Sequence, residues 1–141
     1  SYGPEARGGA SKSEVIISSD SIDFPKVRNC DILLALTQKS YDQYKKGLKN
    51  DGILIIDSSV KTDENNPYTT YRVPISKTAV HELEKPMVTN IVALGAIIEI
   101  TKIITYESLE KAVLSRVPKG TEELNRKALT YGYEIAKIAM K

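Results

Sequence analysis

The residues best suited to chemistry stand at the front of this 141-residue chain. Tyr2-Gly3-Pro4-Glu5-Ala6-Arg7-Gly8-Gly9 combines a glycine pair with an arginine. Gly8 and Gly9 let backbone N–H groups approach a ligand closely, and the Arg7 guanidinium can fork onto a phosphate. Glycine pairs also punctuate ordinary turns, and composition alone favours that plainer reading. Neither phosphate-binding glycine pattern is present: no Gly-Lys-Ser/Thr follows, and the spacing is not Gly-x-Gly-x-x-Gly.

Three further segments could touch an anion or a ribose. Asp57-Ser58-Ser59 follows an apolar run, where ligands gather in open α/β sheets. Thr37-Gln38-Lys39-Ser40 follows another such run and opens a helical pattern. Asn90 stands at the mouth of an apolar helix. Helix or turn capping is the better reading of each from sequence alone. His81, among Glu82, Glu84 and Lys85, reads as a surface histidine without a catalytic partner nearby in sequence. Cys30 reads as a small apolar filler.

The elements that position these residues follow from periodicity. Glu14–Ser18 reads as a strand. Asp31–Leu36 and Ile53–Asp57 are continuous apolar runs, as in strands buried on both faces of a parallel sheet. Thr37 caps a helix between them, with Tyr41, Tyr44 and Leu48 on one face, ended by Asn50-Asp51-Gly52. Tyr68–Val73 reads as a third strand of this stretch. A short helix over Ser76–Lys85 follows. The helix over Thr89–Lys102 is apolar nearly all round, which places it in the core. Thr105 caps the next, with Leu109, Val113 and Leu114 inward. Thr121, with Glu122 and Glu123, starts the last helix, whose expected buried stripe is Leu124, Ala128, Tyr131, Ile135 and Ile138. The alternation predicts an α/β, Rossmann-like fold with a mainly parallel sheet and flanking helices, in a single domain over residues 1–141.

Composition limits what the chain can do. Twenty Lys and Arg nearly cancel eighteen Asp and Glu, leaving +2, so no basic excess points to nucleic acid or an anionic membrane. The run Ile91–Ile98 is far short of the roughly 20 residues that span a bilayer. One cysteine and one histidine cannot supply a four-ligand zinc site or four cluster thiolates. They fit a cytoplasmic protein whose metals, if any, sit on partners. No complete catalytic set is visible.

Residues 1–18, Ser-Tyr-Gly-Pro-Glu-Ala-Arg-Gly-Gly-Ala-Ser-Lys-Ser-Glu-Val-Ile-Ile-Ser, closely resemble a signature stretch of the gamma subunits of 2-oxoacid:ferredoxin oxidoreductases. Asp31–Tyr41, Asp51–Ser58, Asn90–Gly95 and Val117–Asn125 with Ala128 match further family segments in order, so the resemblance covers essentially the whole chain. Pyruvate-type subunits usually show Gly-Pro-Glu-Arg-Arg-Gly-Ala-Pro at the loop. Gly-Pro-Glu-Ala-Arg-Gly-Gly-Ala-Ser here looks like the 2-oxoglutarate type, with the pyruvate and branched-chain types as alternatives.

The resemblance implies a complex that converts a 2-oxoacid, coenzyme A and oxidised ferredoxin into acyl-CoA, carbon dioxide and reduced ferredoxin. It implies alpha and beta subunits as partners, carrying thiamine diphosphate and magnesium, with iron–sulfur clusters in beta or in a small ferredoxin-like delta subunit. For this chain it implies assembly and part of the coenzyme A site, through Tyr2, Gly3, Arg7, Gly8, Gly9 and Asn90, with no catalytic or metal-ligating residue of its own. A purely structural assembly subunit is the competing reading of the same loop. Family members begin with about forty further residues, a strand–loop–helix unit with a Gly-Phe-Gly-Gly-Gln-Gly-like loop. The resemblance therefore implies a chain truncated at its N-terminus.

Overall fold

The computed structural model describes residues 29–141. The chain divides after Thr70 into two compact units. The expected strand Glu14–Ser18 and the opening loop lie outside the described residues.

Strand β1 (Cys30–Ala35), helix α1 (Gln38–Tyr44) and strand β2 (Leu48–Asp57) form a strand–helix–strand unit in which the strands pair in parallel. Strand β3 (Thr69–Val73) completes a three-stranded sheet in the order β1-β2-β3. The apolar run of β2 is buried as expected, whereas Ile32, Leu33 and Leu34 of β1 are only half-buried. Leu54, Ile55 and Ile56 are fully buried, and Ala35, Tyr41, Leu48, Leu54, Ile56 and Val60 form one core cluster. The α/β reading with a parallel strand pair is met.

The connection between α1 and β2 differs from the sequence expectation. Helix α1 stops at Tyr44, a 3-10 turn covers Lys45–Gly47, and Leu48 opens the strand instead of lining the helix. The register slips here: Cys30 faces Leu48, whereas Ile32 already faces Ile53. Asn50-Asp51-Gly52 is thus an irregularity inside β2 and not a helix stop. It needs Gly52, because a Cβ there would lie 2.5 Å from Leu48 Cδ1 and 2.9 Å from the Lys49 carbonyl oxygen.

The second unit is helical after β3. Helix α2 (Ile75–Lys77) runs into a π-helical turn over Thr78–Glu82, and a 3-10 turn over Pro86–Val88 leads into α3 (Thr89–Thr101). Helices α4 (Tyr106–Leu114) and α5 (Glu122–Ala139) follow. Thr105 caps α4 as expected, its Oγ1 accepting from the Ser108 N–H at 3.1 Å. Leu109 and Val113 are buried against Ile98 and Leu129, with Leu114 only half-buried.

Helix α3 is not buried all round: Val92, Ala93, Gly95, Ala96 and Ile98 face inward, while Leu94 is exposed. The stripe of α5 is also different. Ala128 is buried as expected, but Leu124, Tyr131 and Ile135 are half-buried and Ile138 is 70% exposed. Asn125, Leu129, Gly132 and Ala136 take the interior positions instead. The two helices meet through their smallest residues, so the widest apolar side chains are pushed aside. A Cβ on Gly132 would fall 2.3 Å from the Val92 carbonyl oxygen, and one on Gly95 2.6 Å from that of Leu129. Backbone meets backbone here, a geometry open to glycine alone.

Candidate functional site

Ligand-binding residues of α/β sheets gather where strands end and helices begin, and both features are present in the first unit. Parallel pairing of Ala35 with Ile56 sets Thr37 just past the carboxyl end of β1 and Asp57 at that of β2. Thr37 is extended (φ −132°, ψ 155°) and its Oγ1 accepts from the Ser40 N–H at 3.1 Å, so it is a true helix cap. Asp57 is 2% exposed, and its Oδ2 accepts from the Ser59 hydroxyl at 2.6 Å and from the Ser59 N–H at 3.1 Å. Asp57 therefore closes the turn after β2, the plainer of its two readings.

That turn begins a segment strapped onto α1. The Gln38 amide holds Lys61 at both ends: Nε2 donates to the Lys61 carbonyl at 2.9 Å, and Oε1 accepts from the Lys61 N–H at 2.7 Å. Asp63 Oδ2 accepts from the Tyr41 hydroxyl at 3.2 Å and from Lys45 Nζ at 3.0 Å. The Tyr68 hydroxyl donates to the Lys45 carbonyl at 3.1 Å. Hydrogen bonds from Lys45 and then Tyr41 hold the Asp63 carboxyl below its ordinary value. Burial, opposed by the Asp63 N–H, is the main cause that raises the Tyr41 hydroxyl.

Asn90 lies on the second unit, in the first turn of α3. The residue at the N-cap is Val88, and no side chain caps this helix. Thr89 instead donates its hydroxyl to the Pro86 carbonyl at 2.6 Å. The capping reading of Asn90 is therefore overturned: its side chain is exposed and has no hydrogen-bond partner among the described residues. Tyr2, Gly3, Arg7, Gly8 and Gly9 lie outside the described residues. His81 is exposed, and Cys30 is a half-buried residue packed on the first core cluster, as expected. Among the described residues no group of His, Cys, Asp and Glu is placed to hold a metal ion, and no helix is long and apolar enough to cross a membrane. Two open surface clefts, one of about 440 Å³ along α5 from Glu123 to Thr130 and one of about 400 Å³ over Lys102–Tyr106, do not include Asn90.

Sequence reasoning missed Glu99. It sits in the apolar helix α3 at 1% exposure. Its Oε2 accepts from Lys102 Nζ and from the Tyr106 hydroxyl, and Lys137 Nζ lies 3.4 Å from Oε1. Burial by itself would raise this carboxyl. The hydrogen bonds from Lys102 and Tyr106, with the charge of Lys102 and the nearby Lys137 ammonium, outweigh that and hold it below its ordinary value. The available signal was a lone acid at the end of the run Ile91–Ile98 with a lysine three residues on.

Comparison with known proteins decides the family. The model of the pyruvate ferredoxin/flavodoxin oxidoreductase domain matches residues 1–135. The chain belongs to that family. It is similar to the 2-oxoglutarate synthase subunit KorC of Methanocaldococcus jannaschii, with 51% identity over 140 residues, spanning 97% of this chain and 75% of the relative. The corresponding subunit of Methanothermobacter marburgensis is 39% identical over 142 residues, spanning 96% of this chain and 76% of the relative. Among solved structures, the keto/oxoacid ferredoxin oxidoreductase gamma subunit of Geobacter sulfurreducens superposes with a TM-score of 0.75 at 45% identity, covering 84% of this chain and 68% of that one. The fold and the motifs of the opening stretch thus point to one family.

Proposed function

We propose that the chain is the gamma subunit of a 2-oxoglutarate:ferredoxin oxidoreductase, a complex that oxidatively decarboxylates 2-oxoglutarate with coenzyme A. The observation that carries this reading is the similarity over 97% of the chain to a 2-oxoglutarate synthase subunit. The loop Gly-Pro-Glu-Ala-Arg-Gly-Gly-Ala-Ser supports the same branch. Alpha and beta subunits carry thiamine diphosphate and magnesium, and the iron–sulfur clusters sit in beta or in a small delta subunit. This division suits a chain whose lone cysteine cannot ligate a cluster. The complex works in the cytoplasm, and electrons leave it through ferredoxin.

Within the complex the chain contributes assembly and part of the coenzyme A site. Coenzyme A is polyanionic, and Arg7 with the backbone N–H groups at Gly3, Gly8 and Gly9 is a matching donor set. Tyr2 flanks it with a ring and a hydroxyl. Asn90 adds a free, exposed amide on the first turn of a 13-residue helix, where the dipole favours negative charge.

The test is the reconstituted complex, assayed for 2-oxoacid- and coenzyme A-dependent ferredoxin reduction. Preference for 2-oxoglutarate over pyruvate and branched-chain 2-oxoacids is expected; preference for either competitor moves the chain to that branch. Arg7→Ala should raise the apparent KM for coenzyme A, and an unchanged value defeats the assignment. Unaltered coenzyme A kinetics with weakened assembly, in Arg7→Ala and Asn90→Ala alike, selects the purely structural subunit.

A further inference from the structure

Helix α3 ends on a left-handed residue. Lys102 has φ 54° and ψ 28° while its N–H still bonds the Ile98 carbonyl at 2.9 Å. This conformation crowds Cβ against the following carbonyl, so helix ends of this kind normally carry glycine. A lysine is held there by its own side chain. Its ammonium turns back over the last turn of α3 to donate to Glu99 and to the Tyr106 hydroxyl, and sits 4.5 Å from the Tyr106 ring centroid. Tyr106 in turn packs on Tyr133 of α5, with ring centroids 4.6 Å apart.

We propose that the buried Glu99 carboxylate is the lock of a left-handed joint between α3 and α4, a conformational device that fixes the Lys102–Thr105 turn. The groups facing Glu99 are Lys102 at the end of its own helix, Tyr106 from α4, and Tyr133 and Lys137 from α5; Glu110 of α4 lies beyond, acting on Tyr133. Two ammonium groups and one hydroxyl thus converge on one carboxylate that exposes 1% of its surface. Oε1 has no hydrogen bond among the described residues, so both hydrogen bonds of the lock fall on Oε2, and Lys137 stands 3.4 Å from Oε1 as an ion pair. While it holds, Ile103 and Ile104 stand 47% and 37% exposed in a fixed turn. Without the carboxylate, Lys102 keeps only the Tyr106 hydroxyl and ring, and the turn relaxes.

Hydrogen exchange on the full-length chain, read by mass spectrometry at amides 102–106, tests this. Glu99→Gln should speed exchange there about tenfold while amides 125–136 of α5 keep their protection. Adding Lys102→Gly to that variant should restore protection, because glycine adopts the left-handed conformation freely. Unchanged exchange in Glu99→Gln overturns the lock, and so does a double variant that exchanges as fast as the single one. Should Glu99→Gln not fold, Tyr106→Phe removes one donor and keeps the charge. It must still speed exchange at the same amides, and an unaltered rate overturns the proposal.

Discussion

Replacing Gly132 by alanine adds a single methyl group, and the structure says where it goes. The new Cβ would lie 2.3 Å from the Val92 carbonyl oxygen, 3.0 Å from the Ala96 nitrogen and 3.0 Å from the Gly95 Cα. All three are backbone atoms, so no side-chain rotation relieves the clash. Reaching ordinary contact requires α3 and α5 to part by roughly an ångström, which loosens the packing of Val92, Ala96, Ala128 and Ala136 together. Overpacking of this kind costs about 1–3 kcal/mol or more, and the clash against main chain puts it at the upper end. Alanine returns about 1 kcal/mol through helix propensity. The net expectation is a loss of about 2 kcal/mol, or roughly 8 °C in Tm for a chain of this length. Urea unfolding at constant m-value reads it directly. The control is Gly47→Ala, where nothing lies within 4 Å of the added atom, and its stability should stay within about 0.5 kcal/mol of wild type. If Gly132→Ala proves as stable as Gly47→Ala, the close crossing of α3 and α5 is wrong.

Other outcomes follow from the described contacts. Thr37→Ala removes the cap of α1 and should cost about 1 kcal/mol, with Thr37→Ser nearly neutral; equal effects of the two would remove the capping role. The Glu99 carboxyl is held below its ordinary value of 4.5. Its contribution to stability is therefore complete above that value and is lost as pH falls through the lower, folded-state value. Below pH 4.5 wild type should lose stability more steeply than Glu99→Gln, and parallel pH profiles would contradict the assignment. Tyr41→Phe deletes the hydroxyl that donates to Asp63 and should loosen residues 61–66 to proteolysis while leaving the sheet intact. Cleavage at the wild-type rate would show that this tyrosine does not hold the strap.

Both strands were legible as unbroken apolar runs, but only Ile53–Asp57 is buried as a strand covered on both faces should be; in Asp31–Leu36, Ile32, Leu33 and Leu34 are half-buried and Ala35 alone is fully buried. Caps at Thr37 and Thr105 were legible for an equally local reason: a hydroxyl three residues before an N–H that needs it. The stripe of α5 was not. A reading that seeks large apolar residues finds Tyr131, Ile135 and Ile138, but Gly132 and Ala136 are buried because a second helix passes within backbone contact. Nothing within α5 encodes that neighbour. Asn90 failed as a cap for a related reason: the 3-10 turn at Pro86–Val88 runs straight into α3 and moves the helix start upstream. The partners of Glu99 are spread over 38 residues, from Glu99 to Lys137, and only folding brings Lys137 to it.

The Gln38 amide fastens its segment with little dependence on ionic strength. It grips the Lys61 backbone as a neighbouring strand would, with one donor and one acceptor and no net charge. The companion fastening of the same segment is ionic, Lys45 to a largely exposed Asp63. Concentrated salt screens such a pair over about 3 Å at 1 M, yet leaves a neutral amide pair almost untouched. The segment after β2 therefore has an ionic anchor that responds to its medium beside neutral ones, the Gln38 amide and the hydroxyls of Tyr41 and Tyr68, that respond far less. Its root at Lys61 stays aligned beside the strand ends in any salt, and only the stretch around Asp63 is free to feel the ions around it.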